Sequence, residues 1–179
     1  MKKILTVLAL SMAIHTMAWA LSFEELGGLW QKEDPMSVFR RNIPAIAEKF
    51  IGLPYEWGGD PRMTGTTDNS HLFFSIYSMA AASAKISYPR YLTIKELIKK
   101  TQMVPMDQIQ NGDLMVLNNT HAAMVYRVEK NGVLHLIYAS GKRRQVTILN
   151  SESPSYKAYW IKNLKGFHRP AKELFQVTP

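Results

Sequence analysis

Residues Gly52–Tyr77 read GLPYEWGGDPRMTGTTDNSHLFFSIY. The first half is punctuated by Pro54, Gly58, Gly59, Pro61 and Gly65, residue types that make turns, so it reads as a loop. The second half carries the apolar run Leu72, Phe73, Phe74, Ile76 and Tyr77 and reads as a buried helix. The two meet at Asp68-Asn69-Ser70-His71. A polar tetrapeptide opening a helix after a glycine-rich loop is a good place for a reactive side chain. Free N–H groups and the positive end of the helix dipole stabilise a developing anion there.

Working outward, the helix Ser70 to Ala84 is apolar nearly all round, which implies burial on most of its faces. Upstream, Pro44 to Phe50 reads as a helix with Ile43, Ile46, Ala47 and Phe50 on one face, and Pro44 suits its first turn. Downstream, Tyr88-Pro89-Arg90 breaks the chain. Thr93 and Glu96 then form a capping box for a helix ending near Lys99-Lys100. From Met103 the pattern turns to strands: Leu114 to Leu117, Ala122 to Glu129, Val133 to Ala139, Gln145 to Leu149 and Tyr159 to Phe167. Asn131-Gly132 between two of them is a hairpin signal. Helices followed by a meander of strands predict an α+β fold in one domain. There is no repeat, linker or low-complexity run.

The composition fits that reading. The chain has 179 residues, 46% hydrophobic and 20% charged, enough for a single domain with a real core. The start, MKKILTVLALSMAIHTMAWA, has a basic n-region (Lys2, Lys3), an apolar stretch from Ile4 to Met17 and a small-x-small site at Ala18-Trp19-Ala20. It is expected to be a cleaved signal peptide over residues 1–20, leaving a chain that begins at Leu21. The run is short for a membrane span, so no stable membrane insertion is expected after cleavage. Localisation should be periplasmic or secreted. Residues 21–44 are expected to be a lead-in, with a Ser22/Glu25 capping box for a short helix Phe23–Trp30, and residues 45–179 the main domain.

Loss of Lys2 and Lys3 lowers the formal charge of +8 by two. A basic exported protein meets anionic surfaces, or carries its charge only for solubility. The densest basic cluster, Lys142-Arg143-Arg144, falls in a turn, and no nucleic-acid motif accompanies it. Beyond the expected signal peptide, His71, His121, His135 and His168 lack ligand spacing and there is no cysteine, so neither a metal nor a cofactor is called for.

PYEWGG (Pro54–Gly59) followed by TTDNSHLFFSIY resembles the core motif of the NlpC/P60 cysteine peptidases, in which PYxWGG precedes Asp-Cys-Ser-Gly and the Cys is the nucleophile. Asn111-Gly112-Asp113-Leu114 is similar to that family's PGDL turn. His121-Ala122-Ala123-Met124-Val125-Tyr126 is similar to its HVGIY strand, and Ile137-Tyr138-Ala139-Ser140 to its IHAS strand. The resemblance runs from about Ala45 to Pro170, and the three motifs in this order are specific. It implies a papain-like fold, with N-terminal helices packed on an antiparallel β-sheet.

The resemblance assigns His121 as general base, Asn69 to the thiol's position, Tyr138 to the third position that orients the base, and His71 to a glycine position. Tyr55 implies a substrate-groove contact. Trp57 is either a groove contact or, as Trp mostly is, packed inside. A cysteine peptidase needs a thiolate, and the chain has Cys 0, so thiol catalysis is excluded. A carboxamide is a very poor nucleophile but a good hydrogen-bonding group and a good helix cap. Ser70 is the nearest hydroxyl, although one helical step turns it by about 100° from Asn69. Tyr138 is longer than the polar residue it replaces, and His71 would add a ring beside the vacant thiol position. His135, three residues before Tyr138, faces the opposite way by strand alternation and reads as a hairpin residue.

Three readings follow. The chain is a catalytically inactive NlpC/P60-like domain that binds a peptidoglycan peptide or a protein partner; or a hydrolase or transferase rewired to Ser70 with His121; or a structural protein whose groove is filled by its own side chains. Asn69 and His121 are expected to approach each other across the helix–sheet boundary.

Overall fold

The computed structural model describes residues 33–118 and 121–177. The expected signal peptide, its cleavage site and the helix Phe23–Trp30 lie outside the described residues.

A compact unit starts at Pro35, which opens helix α1, Pro35–Ala47. Phe39, Ile43, Ile46 and Ala47 fall on one face of α1 and are buried. The helix therefore begins nine residues before Pro44, across the boundary expected there, and Pro44 is an interior residue. An interior proline has no N–H for the carbonyl four residues back, here Arg40. Asn111 Nδ2 donates to that carbonyl at 3.3 Å, so the acceptor orphaned by Pro44 is met from another part of the chain. Sequence reasoning put Pro44 first because it could not see this outside donor.

Helix α2, Asn69–Ser83, buries Leu72, Phe73, Ile76, Tyr77, Ala80 and Ala81, as its all-round apolar pattern requires. Helix α3, Ile94–Ile98, carries the capping box: Thr93 Oγ1 accepts from Glu96 N, and Glu96 accepts from Thr93 N. Strands β1 (Ile86–Ser87) and β8 (Gln176–Val177) pair in a small two-stranded sheet. The others are β2 (Thr101–Val104), β3 (Leu114–Asn118), β4 (His121–Val128), β5 (Leu134–Ser140), β6 (Gln145–Asn150) and β7 (Gly166–Pro170). They form a six-stranded antiparallel sheet in the order β2-β7-β3-β4-β5-β6.

Alternation along these strands gives the sheet two covered faces. Leu114, Val116, Ala122, Met124, Tyr126, Ile137, Ala139 and Val146 pack with α1 and α2. Met115, Leu117, Ala123, Val125, Leu134 and Leu136 pack on the opposite side with Tyr156, Trp160 and Phe167. The fold is α+β, helices on an antiparallel sheet.

The stretch read as a strand from Tyr159 to Phe167 is instead a π-helical segment, Tyr156–Ile161, followed by β7 from Gly166. Its aromatic residues suggested a strand, but Tyr156 and Trp160 are buried four apart with Lys157, Ala158 and Tyr159 exposed between them, a helical spacing. Trp160 meets the Tyr138 ring edge-on at 4.8 Å, within the second core.

The turn before β3 ties the domain together. Asp113 is fully buried and accepts from Arg169 Nη2 at 2.7 Å, Arg169 Nε at 3.0 Å, Arg40 Nη1 at 3.3 Å and Gln110 N at 2.9 Å. Asn111 adds a bond from Val128 N to its Oδ1 at 2.8 Å, and Tyr77 donates its hydroxyl to Gly112 O at 2.7 Å. Gly112 has φ +90°, where a side chain would be strained.

Candidate functional site

The loop before α2 is held by its own polar groups. Thr67 N donates to Pro54 O at 2.9 Å and Glu56 N to Thr67 O at 3.1 Å, which lays the two arms of the loop side by side. Thr66 Oγ1 donates to Glu56 Oε2 at 2.7 Å and shares a hydrogen bond with Thr64 Oγ1. Asp60 is clamped by Arg62, whose guanidinium holds the carboxyl down at about 2. Gly59 sits where a Cβ would lie 2.4 Å from Thr66 Oγ1 and 3.0 Å from the Thr66 and Thr67 backbone, so only glycine fits.

Asp68 closes the loop onto the helix. Its Oδ1 accepts from His71 N at 2.9 Å and Ser70 Oγ at 2.8 Å, and lies 3.1 Å from His71 Nδ1. Its Oδ2 accepts from Gly58 N at 3.1 Å. Burial pushes the Asp68 carboxyl up, but the hydrogen bonds from His71, Ser70 and Gly58 outweigh it and hold it below its ordinary value. An ionised carboxylate only accepts, so Nδ1 of His71 carries the proton. Asp68 is thus the helix cap, a role open to Asn69 in the sequence, and Asn69 is the first helical residue.

Asn69 reaches the sheet. Its Oδ1 accepts from Ala139 N, on β5, at 2.7 Å. Val146, paired with Ala139 across β6, spends its own N–H on Leu53 O and its C=O on Gly52 N, outward from the sheet. The Ala139 amide therefore points to the β4 side. The last pair that joins β4 to β5 is Met124 with Ile137, two residues short of Ala139. Asn69 fills the place of a ladder partner where these two strands part.

His121 opens β4 and is exposed. It precedes Ala122, which faces α2, so alternation sets it on the other side of the sheet. Tyr138 lies on that side too, half-buried against Trp160, with burial pushing its phenol up. The third position is therefore occupied by a ring packed into the second core.

Ser70 donates to Asp68 and accepts from Tyr91 Oη at 3.0 Å. His71 does not crowd Asn69 as its size suggested. Its ring stacks on Tyr91 at 4.3 Å and bonds to Asp68. Tyr91 also meets Phe74 edge-on, and the Arg62 guanidinium lies 5.0 Å over the Phe74 ring. Sequence reasoning missed Tyr91 because it follows a chain break, outside any motif. Tyr55 is half-buried against Gly141, which would meet its ring at 3.5 Å with a Cβ. Trp57, given a packed role as one option, is 86% exposed. His135 pairs with Glu129 on the β4–β5 hairpin, and His168 Nδ1 lies 2.9 Å from Thr101 Oγ1. Among the described residues, no three His, Asp or Glu side chains group as metal ligands.

Two solved structures share this architecture. A NlpC/P60 family protein from Bacillus cereus superposes with a TM-score of 0.51 at 22% identity, over 73% of this chain and 40% of that one. The P60 domain of an antigen from M. avium subspecies paratuberculosis gives a TM-score of 0.51 at 19% identity, over 76% of this chain and 96% of that domain. The present chain thus spans well under half of the B. cereus protein and nearly all of the isolated P60 domain. No curated protein sequence matches. The sequence model of the NlpC/P60 family matches residues 52–169, a span that holds the glycine loop, the helix opened by Asn69 and the His121 and Tyr138 strands, and by that match the chain belongs to the NlpC/P60 family.

Proposed function

We propose that this protein is an exported NlpC/P60 domain that does not hydrolyse peptides and acts by binding a cell-wall peptide or a protein partner. The binding surface comprises the loop around Tyr55 and Trp57, the start of α2 and the start of β4. One observation carries the reading: at the thiol's position stands a carboxamide whose oxygen is committed to the Ala139 amide. It neither ionises nor attacks a carbonyl. What supports export is the basic and apolar N-terminal pattern; no helix among the described residues is long and apolar enough to cross a membrane.

The rewired alternative loses support from the position of Ser70. Its hydroxyl donates to Asp68 and accepts from Tyr91. A serine nucleophile must instead give its proton to an imidazole. Disabling a catalytic triad leaves only about 10³–10⁴-fold acceleration over water, a loss on the order of 8 kcal/mol of barrier lowering.

The test uses purified muropeptides, with turnover read by mass spectrometry and binding by calorimetry. The expected result is saturable binding without new products, in wild type and Ser70→Ala alike. Turnover that Ser70→Ala abolishes would overturn the reading in favour of the serine enzyme. Absence of muropeptide binding would leave the protein partner as the occupant, to be sought by crosslinking from position 57.

A further inference from the structure

The loop that shapes the site also carries the two most exposed large apolar side chains among the described residues, Trp57 at 86% and Met63 at 83%. An exposed apolar side chain on a floppy loop is unremarkable. Here the backbone beneath both is fixed. Gly58 N is bonded to Asp68, Gly59 N to Glu56 O, and Met63 N and Thr64 N to Asp60 O. The backbone cannot turn inward without breaking those bonds, so both side chains start from a fixed position on the surface.

A basic turn adjoins this loop. Tyr55 N donates to Arg144 O at 2.9 Å, Pro54 bridges to Gln145, and Gly141 lies against the Tyr55 ring. Lys142, Arg143 and Arg144 are all exposed. Between Trp57 and Met63 the one carboxylate, Asp60, is neutralised by Arg62, and Glu56 at the edge of that stretch is bonded to Thr66. Apolar tips on a loop that adjoins a cationic rim, on a chain whose formal charge of +8 falls only by two with the loss of Lys2 and Lys3, match a surface that is anionic outside and apolar beneath. A soluble polyanion would use the rim and leave Met63 in water, whereas a bilayer uses both parts.

We propose that the Trp57–Met63 loop and the Lys142–Arg144 turn together dock this domain peripherally on an anionic lipid bilayer. Trp57 and Met63 enter the headgroup layer, and the three basic residues meet lipid phosphates. The loop is already ordered, so docking costs it little conformational entropy.

The experiment is cosedimentation of the exported protein with phosphatidylglycerol vesicles and with phosphatidylcholine vesicles, at low and at physiological salt. All variants carry the same N-terminus as wild type, so differences report the loop and turn alone. Binding is expected to phosphatidylglycerol only. Trp57→Ala should weaken it roughly tenfold or more, and each of Lys142→Gln, Arg143→Gln and Arg144→Gln about fivefold. Bromine-labelled lipid should quench wild-type fluorescence, and Trp57→Phe should remove that quenching. Circular dichroism verifies that each variant is folded. Failure to bind phosphatidylglycerol at low salt overturns the proposal. So does binding that soluble polyglutamate abolishes but Trp57→Ala and Met63→Ala leave unchanged, which would assign the turn to a polyanion. Neither result bears on muropeptide turnover, so this proposal and the functional one fail separately.

Discussion

Two buried aspartates, each at a turn, organise different halves of the molecule. Asp113 holds two guanidiniums and joins α1, β3 and β7. Asp68 has no guanidinium or ammonium; it gathers two backbone amides, a hydroxyl and an imidazole, all within residues 58–71. Asp113 draws together residues distant in sequence, so the fold depends on it. Asp68 fixes only local geometry, the angle at which a loop meets a helix. A family whose chemistry sits at that junction can lose its nucleophile while this support survives, because the support never depended on the thiol.

That contrast is open to direct test. Asp113→Ala removes the buried carboxylate that two half-buried guanidiniums share, and the expected loss is about 3 kcal/mol in urea unfolding. Asp68→Ala removes a cap and should cost only about 1–2 kcal/mol. Equal losses would break the distinction. Asn69→Ala, which leaves the Ala139 amide without its acceptor, should cost about as much as loss of the cap, about 1–2 kcal/mol. Asn69→Cys should likewise fail to hydrolyse muropeptides, because the third position holds a long Tyr138 ring packed against Trp160. Adding Tyr138→His sharpens the point, and turnover by the double variant alone would locate the defect in the orienting residue.

Acid titration probes the Asp68 junction. Its folded carboxyl is depressed, so its contribution is complete above the unfolded value of about 4 and is lost as the pH falls through the folded value. Asp60, held at about 2, behaves in the same sense. Asp68→Asn keeps a capping side chain without the titration, and should flatten the fall in Tm as the pH drops below about 4. The smallest effect is at Trp57, where Ala should change stability by no more than about 0.5 kcal/mol, since the side chain touches little.

Much of this was legible in the sequence because it is local. The Thr93–Glu96 box, the Asn131-Gly132 hairpin and the burial of most faces of α2 each follow from residues within a few positions of one another. What escaped depends on partners far away. Pro44 is tolerated inside α1 only because Asn111 supplies a donor to Arg40 O. The helical segment at Tyr156 puts both Tyr156 and Trp160 into a core built by strands distant in sequence. At the site, the order of motifs placed Asn69 at the helix start, but its contact with Ala139 depends on where β4 and β5 part, which no motif records. Trp57 defied the rule that tryptophan is buried because the glycines and threonines around it fix the backbone elsewhere.

The Asn69–Ala139 bond makes one backbone amide a reporter on the whole junction. In deuterated solvent, the Ile137 amide exchanges only when the strands themselves separate, whereas the Ala139 amide, two residues on, is guarded by a helix side chain. Its exchange follows the parting of α2 from the sheet. The ratio of the two rates therefore reads how often the helix lifts while the sheet stays whole, and a ligand that bridges loop and strand would slow Ala139 and leave Ile137 as it was.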